Sequence, residues 1–252
     1  MDSLSKQANK NERVRLSKER KYQKKLTKAI MKGLELVYET GEVDDYNTEY
    51  VNAAMSELYY DTGETFFSNS FRMLTKKKDL IGDIASIFGR KAVEWLLNEG
   101  AEKIQSVNDT IKGKVKSELT KGFLDGLSIN QMQKNLRKTM NIWSKFEATR
   151  IARTETVAAA GFGSLEGAKS TGATVRKVWL AAFDSRTRDS HKRADLKSRQ
   201  DKGIPLDDDF ILDSYVNDQG KTVQGDKMQS PGRGTTAAQN INCRCTVGYV
   251  RP

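Results

Sequence analysis

The 252-residue chain is long enough to bury one large core or two modest ones, and carries 37% apolar and 30% charged residues. Lys and Arg number 43 against 33 Asp and Glu, a formal charge of +10 that points to a polyanionic partner. No run of eighteen apolar residues exists to span a membrane, and Met31 to Val37 is too short and mixed for a signal-peptide core.

The basic excess is concentrated at the start, where residues 1–32 hold eleven Lys/Arg against three acids. Residues 1–28 read as a basic arm, a frayed helix or a disordered segment, with Lys6, Lys10, Arg13, Arg15, Lys18, Arg20, Lys21, Lys24, Lys25 and Lys28 placed to follow the phosphates of double-stranded DNA. Residues 29–125 read as a helical region. Ile30, Leu34 and Val37 are spaced as one helical face, ended by the turn Thr40-Gly41-Glu42, after which Tyr50, Ala54 and Leu58 continue the theme. Leu80, Ile84, Ile87 and Phe88 form a further stripe. Ala92, Trp95 and Leu96 form the next, with Gly100 expected as its C-cap. Val107, Ile111, Val115 and Leu119 mark another helix.

Residues 126–252 read as a separate α+β module. Ser128 is expected to N-cap a helix over 131–138. A longer one runs from Lys145 to Ala168, with Phe146, Ile151, Ala158, Phe162 and Leu165 on one side and Arg153-Thr154-Glu155 within it. Gly161, Gly163 and Gly167 suit close approach to another backbone. Gly172 breaks the helix, and Val175 to Ala182 alternate as a strand. If Asp184 opens a helix, then Asp184, Arg188, His191 and Asp195 share one face. Residues 204–223 read as a hairpin turning at Asn217 to Gly220, Ser230-Pro231-Gly232 as a loop, and Cys243 to Val250 as a closing strand. The fold class is therefore α+β, a mainly helical N-terminal half followed by a small antiparallel-sheet module.

Several elements occur here in an unusual order. Arg153-Thr154-Glu155 lies on a helix and Trp179 on a strand. Then come Asp184-x-Arg186-Thr187-Arg188-x-x-His191, a Pro231-Gly232 loop and a terminal Asn242-Cys243-Arg244-Cys245. Over roughly residues 120–250 this pattern resembles the phage Mu protein F-like minor head proteins, also called the phage head morphogenesis family. The resemblance implies a minor capsid protein of a tailed phage or prophage. Such a protein associates with the portal protein and other capsid proteins during procapsid assembly in the host cytoplasm. It then resides in the virion head near the portal, contacts packaged DNA and in some cases leaves with the genome. The family often has an acid directly after the Pro-Gly; here Arg233 follows and Asp226 lies upstream.

The chemistry the residues offer is narrow. Cys243 and Cys245, the only cysteines, are one residue apart, too close for an unstrained disulfide, which favours a reducing cytoplasm. On a strand both thiols point to one face, and with His191, the sole histidine, they make a zinc donor set that Asp184 would complete. The alternative is a thiol pair packed beside a hydrogen-bonded His191. Arg153, Glu155, Asp184, Arg186 and Arg188 are expected to form a structural polar network. No catalytic residue and no activity are expected. The competing class is a metal-dependent nuclease, drawing on His191 and Asp195, or a toxin-like transferase built on the same module.

Overall fold

In the computed structural model, residues 3–75 and 81–252 are described, with side chains for all of these except 81–85. The elements are α1 (Ser3–Gly33), α2 (Val37–Thr40), α3 (Glu49–Thr75), α4 (Ile81–Trp95), α5 (Ala101–Leu124), α6 (Ile129–Lys169), β1 (Arg176–Leu180), α7 (Asp189–Gln200), β2 (Phe210–Leu212), β3 (Tyr215–Val216), β4 (Thr222–Val223), β5 (Asp226–Met228), α8 (Ala237–Asn240) and β6 (Thr246–Val250). The strands form three antiparallel pairs, β1–β6, β2–β5 and β3–β4. Helices followed by small antiparallel ladders make the fold α+β, as the sequence indicates.

The chain divides into two compact units built from interleaved segments. One comprises Met1–Lys18, Tyr59–Ala92 and Arg153–Pro252, the other Glu19–Leu58 and Val93–Ala152. The second unit is helical. Its core includes Ile30, Leu34, Leu58, Ile111 and Val115, residues from the stripes that the periodicity picks out, together with Tyr22, Leu26, Met55 and Met140. A buried Tyr46 hydroxyl donates to Asn108 Oδ1 at 3.2 Å, and Asn108 Nδ2 donates to Asn52 Oδ1 at 2.8 Å.

In the first unit, α3 and α6 cross where both have glycine. A Cβ on Gly163 would overlap the Gly63 backbone, and one on Gly167 would overlap that of Phe67. This is the close approach the glycine spacing suggests. Phe88 packs beside Tyr60, Phe67 and Phe162, with ring centroids 5.4–6.2 Å apart.

Among the described residues no strand neighbours the β1–β6 pair on most of its length, and side chains from two helices take that place. On the β6 side, Gln7 Nε2 donates to Tyr249 O while Tyr249 N donates to Gln7 Oε1, both at 3.0 Å, and Asn11 Nδ2 donates to Val247 O at 3.1 Å. On the β1 side, Trp179 N donates to Ser198 Oγ at 3.0 Å and Ala181 N to Asp195 Oδ2 at 2.7 Å, both acceptors on α7. Every such bond gives an edge amide or carbonyl the partner that buried backbone requires. α7 is thereby fixed against β1, with His191 underneath the strand.

Several expectations are corrected. The N-terminal basic segment is a regular helix rather than a frayed or disordered arm, because Gln7 and Asn11 bind β6 and Tyr22 and Leu26 are fully buried. Gly100 does not end a helix: the chain passes through one π-turn, Leu96–Gly100, directly into α5. The two helices expected between 131 and 168 are one, α6, started by a capping box in which Ser128 N donates to Gln131 Oε1 at 2.8 Å. Phe146 is 82% exposed rather than lining a core. Leu80, and the side chain of Ile84, lie outside the described residues.

Candidate functional site

The turn after β1 is held by Asp184. Its Oδ1 accepts from Arg186 N at 2.9 Å and Thr187 Oγ1 at 3.1 Å, and its carboxylate meets Arg244 Nη2 at 2.6 Å. Burial tends to raise the Asp184 carboxyl, but the Arg186 amide, the Arg244 guanidinium and the Thr187 hydroxyl hold it below its usual range. Asp184 is therefore a turn residue five positions before the start of α7. It does not share a helical face with Arg188, His191 and Asp195.

The segment between α8 and β6 carries both cysteines, in extended chain just before the strand rather than on it. It is gripped from several sides. Thr154 Oγ1 accepts from Asn242 N at 3.0 Å, Arg153 Nη1 donates to Asn242 Oδ1 at 3.1 Å, and Arg188 Nη2 donates to Ile241 O at 2.5 Å. Asn242 has φ +59°, a left-handed turn that sets the direction of the next three residues. Arg244 then points to Asp184, while Cys243 and Cys245 turn to the opposite side and meet His191.

There, His191 Nδ1 lies 3.7 Å from Cys243 Sγ and 3.4 Å from Cys245 Sγ. The three residues are 1–2% exposed, and their ligand atoms lie within 4.8 Å of one another. Trp179 packs edge-on to the His191 ring at 5.1 Å between centroids. On the far side of the ring, His191 Nε2 meets Gln239 Oε1 at 3.2 Å. The hydrogen bond from Cys245, against burial and with help from His191, lowers Cys243 well below the usual thiol range. Burial and the neighbouring Cys243 raise Cys245.

Of the residues the sequence singles out, Arg153, Asp184 and Arg188 are drawn to the 241–245 segment. Glu155 is not: it accepts from the Tyr59 hydroxyl at 2.9 Å inside the α3–α6 packing. The Arg186 side chain is exposed. Asp184, the expected fourth metal ligand, is outside the His-Cys-Cys group and bound to Arg244. Asp195 is bound by Ala181 N and by Arg199 rather than by His191, so it supplies no His-Asp dyad. Among the ten basic residues of 6–28, Arg15 is buried, Lys18 pairs with Asp61 at 2.6 Å, and Lys21 and Lys25 pair with Glu57. Lys6, Lys10, Arg13, Arg20, Lys24 and Lys28 are exposed and recur within an arc of about 80° on α1, opposite Tyr22 and Leu26. Sequence reasoning missed Thr154, Gln239, Asn242 and Arg244 as working residues. Three of these lie inside motifs already noticed, but nothing in their spacing names their partners.

The family model for Phage Mu protein F like proteins matches residues 113–248, which contain this whole arrangement and make up just over half of the chain. The chain belongs to that family. Two curated proteins are similar to it. Minor head protein GP7 of Bacillus phage SPP1 is 25% identical over 233 residues, 88% of this chain and 63% of that protein. NAD(+)--arginine ADP-ribosyltransferase EFV of Enterococcus faecalis is 26% identical over 149 residues, 58% of this chain and 27% of that protein. The chain thus spans less than two thirds of the length of either relative. No solved structure matches it significantly.

Proposed function

We propose that this chain is a structural head-morphogenesis protein of a tailed phage or prophage, a minor capsid component that docks on the portal and contacts packaged DNA. The observation that carries the reading is similarity to a minor head protein along 88% of the chain, beyond the family segment alone. The geometry agrees with a structural role. Three polar residues of the family pattern hold the turn after β1 and the segment before β6: Arg153 on Asn242, Asp184 on Arg244, Arg188 on Ile241. Co-expression with the cognate portal and major capsid proteins tests it. Procapsids should contain this protein, and omission of the portal should remove it. Unchanged incorporation without the portal refutes the docking.

The exposed basic face of α1 supports the DNA contact, with no arm required. Replacing Lys6, Lys10, Arg13, Arg20, Lys24 and Lys28 by Gln should flatten the dependence of duplex affinity on salt, the slope falling by about 0.9 for each phosphate that is no longer neutralised. Affinity and slope both equal to wild type refute a role for this face. Deleting residues 1–28 is a poorer test, since it removes Tyr22 and Leu26 from the core.

The transferase-named relative motivates a second reading. Its match is 149 residues long, 58% of this chain, and reaches 27% of that protein. We read the shared part as the head module rather than as the transferring part. Glu155 supports this, being buried against the Tyr59 hydroxyl. Arginine modification from labelled NAD(+) that disappears in Glu155→Gln would overturn it.

A further inference from the structure

The His191, Cys243 and Cys245 cluster is finished in a way that a packed thiol pair does not require. Gln239 fixes the chemistry of the imidazole. Its Nε2 donates to Gln224 O at 2.9 Å, which orients the amide, so Oε1 is the atom facing Ser190 Oγ at 2.9 Å and His191 Nε2 at 3.2 Å. A carbonyl oxygen only accepts, so Nε2 carries a proton, and in the neutral ring, the form that binds a metal, Nδ1 is left with its lone pair toward the two sulfurs. A ligating histidine is ordinarily held in this manner, by an acceptor on the ring nitrogen remote from the metal.

Trp179 closes the cluster on another side, its ring edge-on to His191 with centroids 5.1 Å apart. The indole nitrogen of Trp179 is fully buried with no conventional hydrogen-bond partner. Cysteine binds metals as the thiolate. Distances agree as well. A metal with sulfur at about 2.3 Å and nitrogen at about 2.0–2.1 Å, in tetrahedral geometry, separates the two donors by about 3.6 Å. The separations here are 3.4 and 3.7 Å.

From this geometry we infer that the full chain binds one zinc ion through His191 Nδ1, Cys243 Sγ and Cys245 Sγ, with Gln239 as the positioning residue. A soft set of two thiolates and one imidazole selects zinc among the abundant divalent ions. Three protein ligands leave the fourth position to water, and the burial of all three side chains excludes a larger substrate. The ion staples the segment before β6 to α7, a cross-link between positions 52 and 54 residues apart. The inference stands independently of the head-protein reading.

Full-length protein from zinc-replete culture, purified without chelator, should carry one zinc per chain by elemental analysis. A mercurial reagent should release it in step with modification of the two thiols. Cobalt(II) added to chelator-treated protein should produce thiolate-to-cobalt charge-transfer bands and the visible bands of a tetrahedral ion. Cys243→Ser should lose both zinc and bands. Gln239→Leu keeps every ligand and should weaken zinc about 10- to 100-fold against a competing fluorescent chelator. Wild-type protein with only a trace of zinc and no thiolate–cobalt bands overturns the proposal without recourse to any variant. Unchanged affinity in Gln239→Leu overturns Gln239 as the positioning residue.

Discussion

Replacing Asn242 tests the turn that aims the cysteines, and the structure supplies the sizes. At φ +59° a side chain bearing Cβ is disfavoured against glycine by about 1 kcal/mol, with Asn among the better tolerated. The bond from Arg153 to Asn242 Oδ1 is exposed, and so contributes at the low end, about 0.5–1 kcal/mol. Asn242→Gly loses this bond but relieves the backbone by a similar amount, for a net change within about 0.5 kcal/mol of zero. Asn242→Ala loses the bond and gains no such relief, for a destabilisation of about 0.5–1 kcal/mol. The order is the diagnostic, since in an ordinary helix or strand glycine is the worse of the two by about 0.5–1 kcal/mol. The assay is equilibrium urea unfolding of the full chain at pH 7, followed by tryptophan fluorescence, with the m-values of both variants compared with wild type. Equal losses, or glycine the more destabilising, would refute the argument that a left-handed residue directs this segment.

Gly163→Ala should destabilise by about 1–2 kcal/mol, because the new methyl meets α3 backbone that cannot swing aside, only partly offset by better helix propensity. Gly113→Ala, in α5 with open space around it, should instead stabilise by up to about 1 kcal/mol, and the same sign for both by thermal unfolding would undo the reasoning. Lys177 is fully buried, its ammonium donating to Gln229 O at 2.8 Å. Burial, with Lys169 and Arg233 and against Asp209 and Asp207, lowers it from 10.5 to about 8. The unfolded chain then holds a proton that the folded one releases between these values, so this residue's contribution to stability rises with pH across that window. The cost is fully present at pH 7, about 3 kcal/mol. Lys177→Met should therefore stabilise most at neutral pH, with the advantage shrinking by pH 10. An advantage that is flat with pH in urea titrations would contradict it.

What the sequence determined by itself was periodic or punctuated. The core stripes on Ile30, Leu34 and Leu58, the capping Ser128, the turn at Gly41 and the glycine approach at Gly163 all follow from local spacing, which backbone geometry translates directly into a face or a terminus. The grouping of His191 with Cys243 and Cys245 was also legible, because a chain with one histidine and two cysteines offers few combinations. Tertiary structure decided the partners. Asp184 suited a metal or a helix cap by type alone, and only the fold brought Arg244 within 2.6 Å of it. The N-terminal segment read as a solvated arm because its composition is basic. Its fate rests on Gln7 and Asn11, two ordinary amides that happen to meet the open edge of β6. Gln239 left no trace in the spacing of the ligands it serves, yet it determines which nitrogen of His191 faces the sulfurs. Spacing along a chain fixes which residues share a face. Which hydrogen bonds those faces complete depends on donors and acceptors brought from distant segments, and that information exists only once the chain has folded.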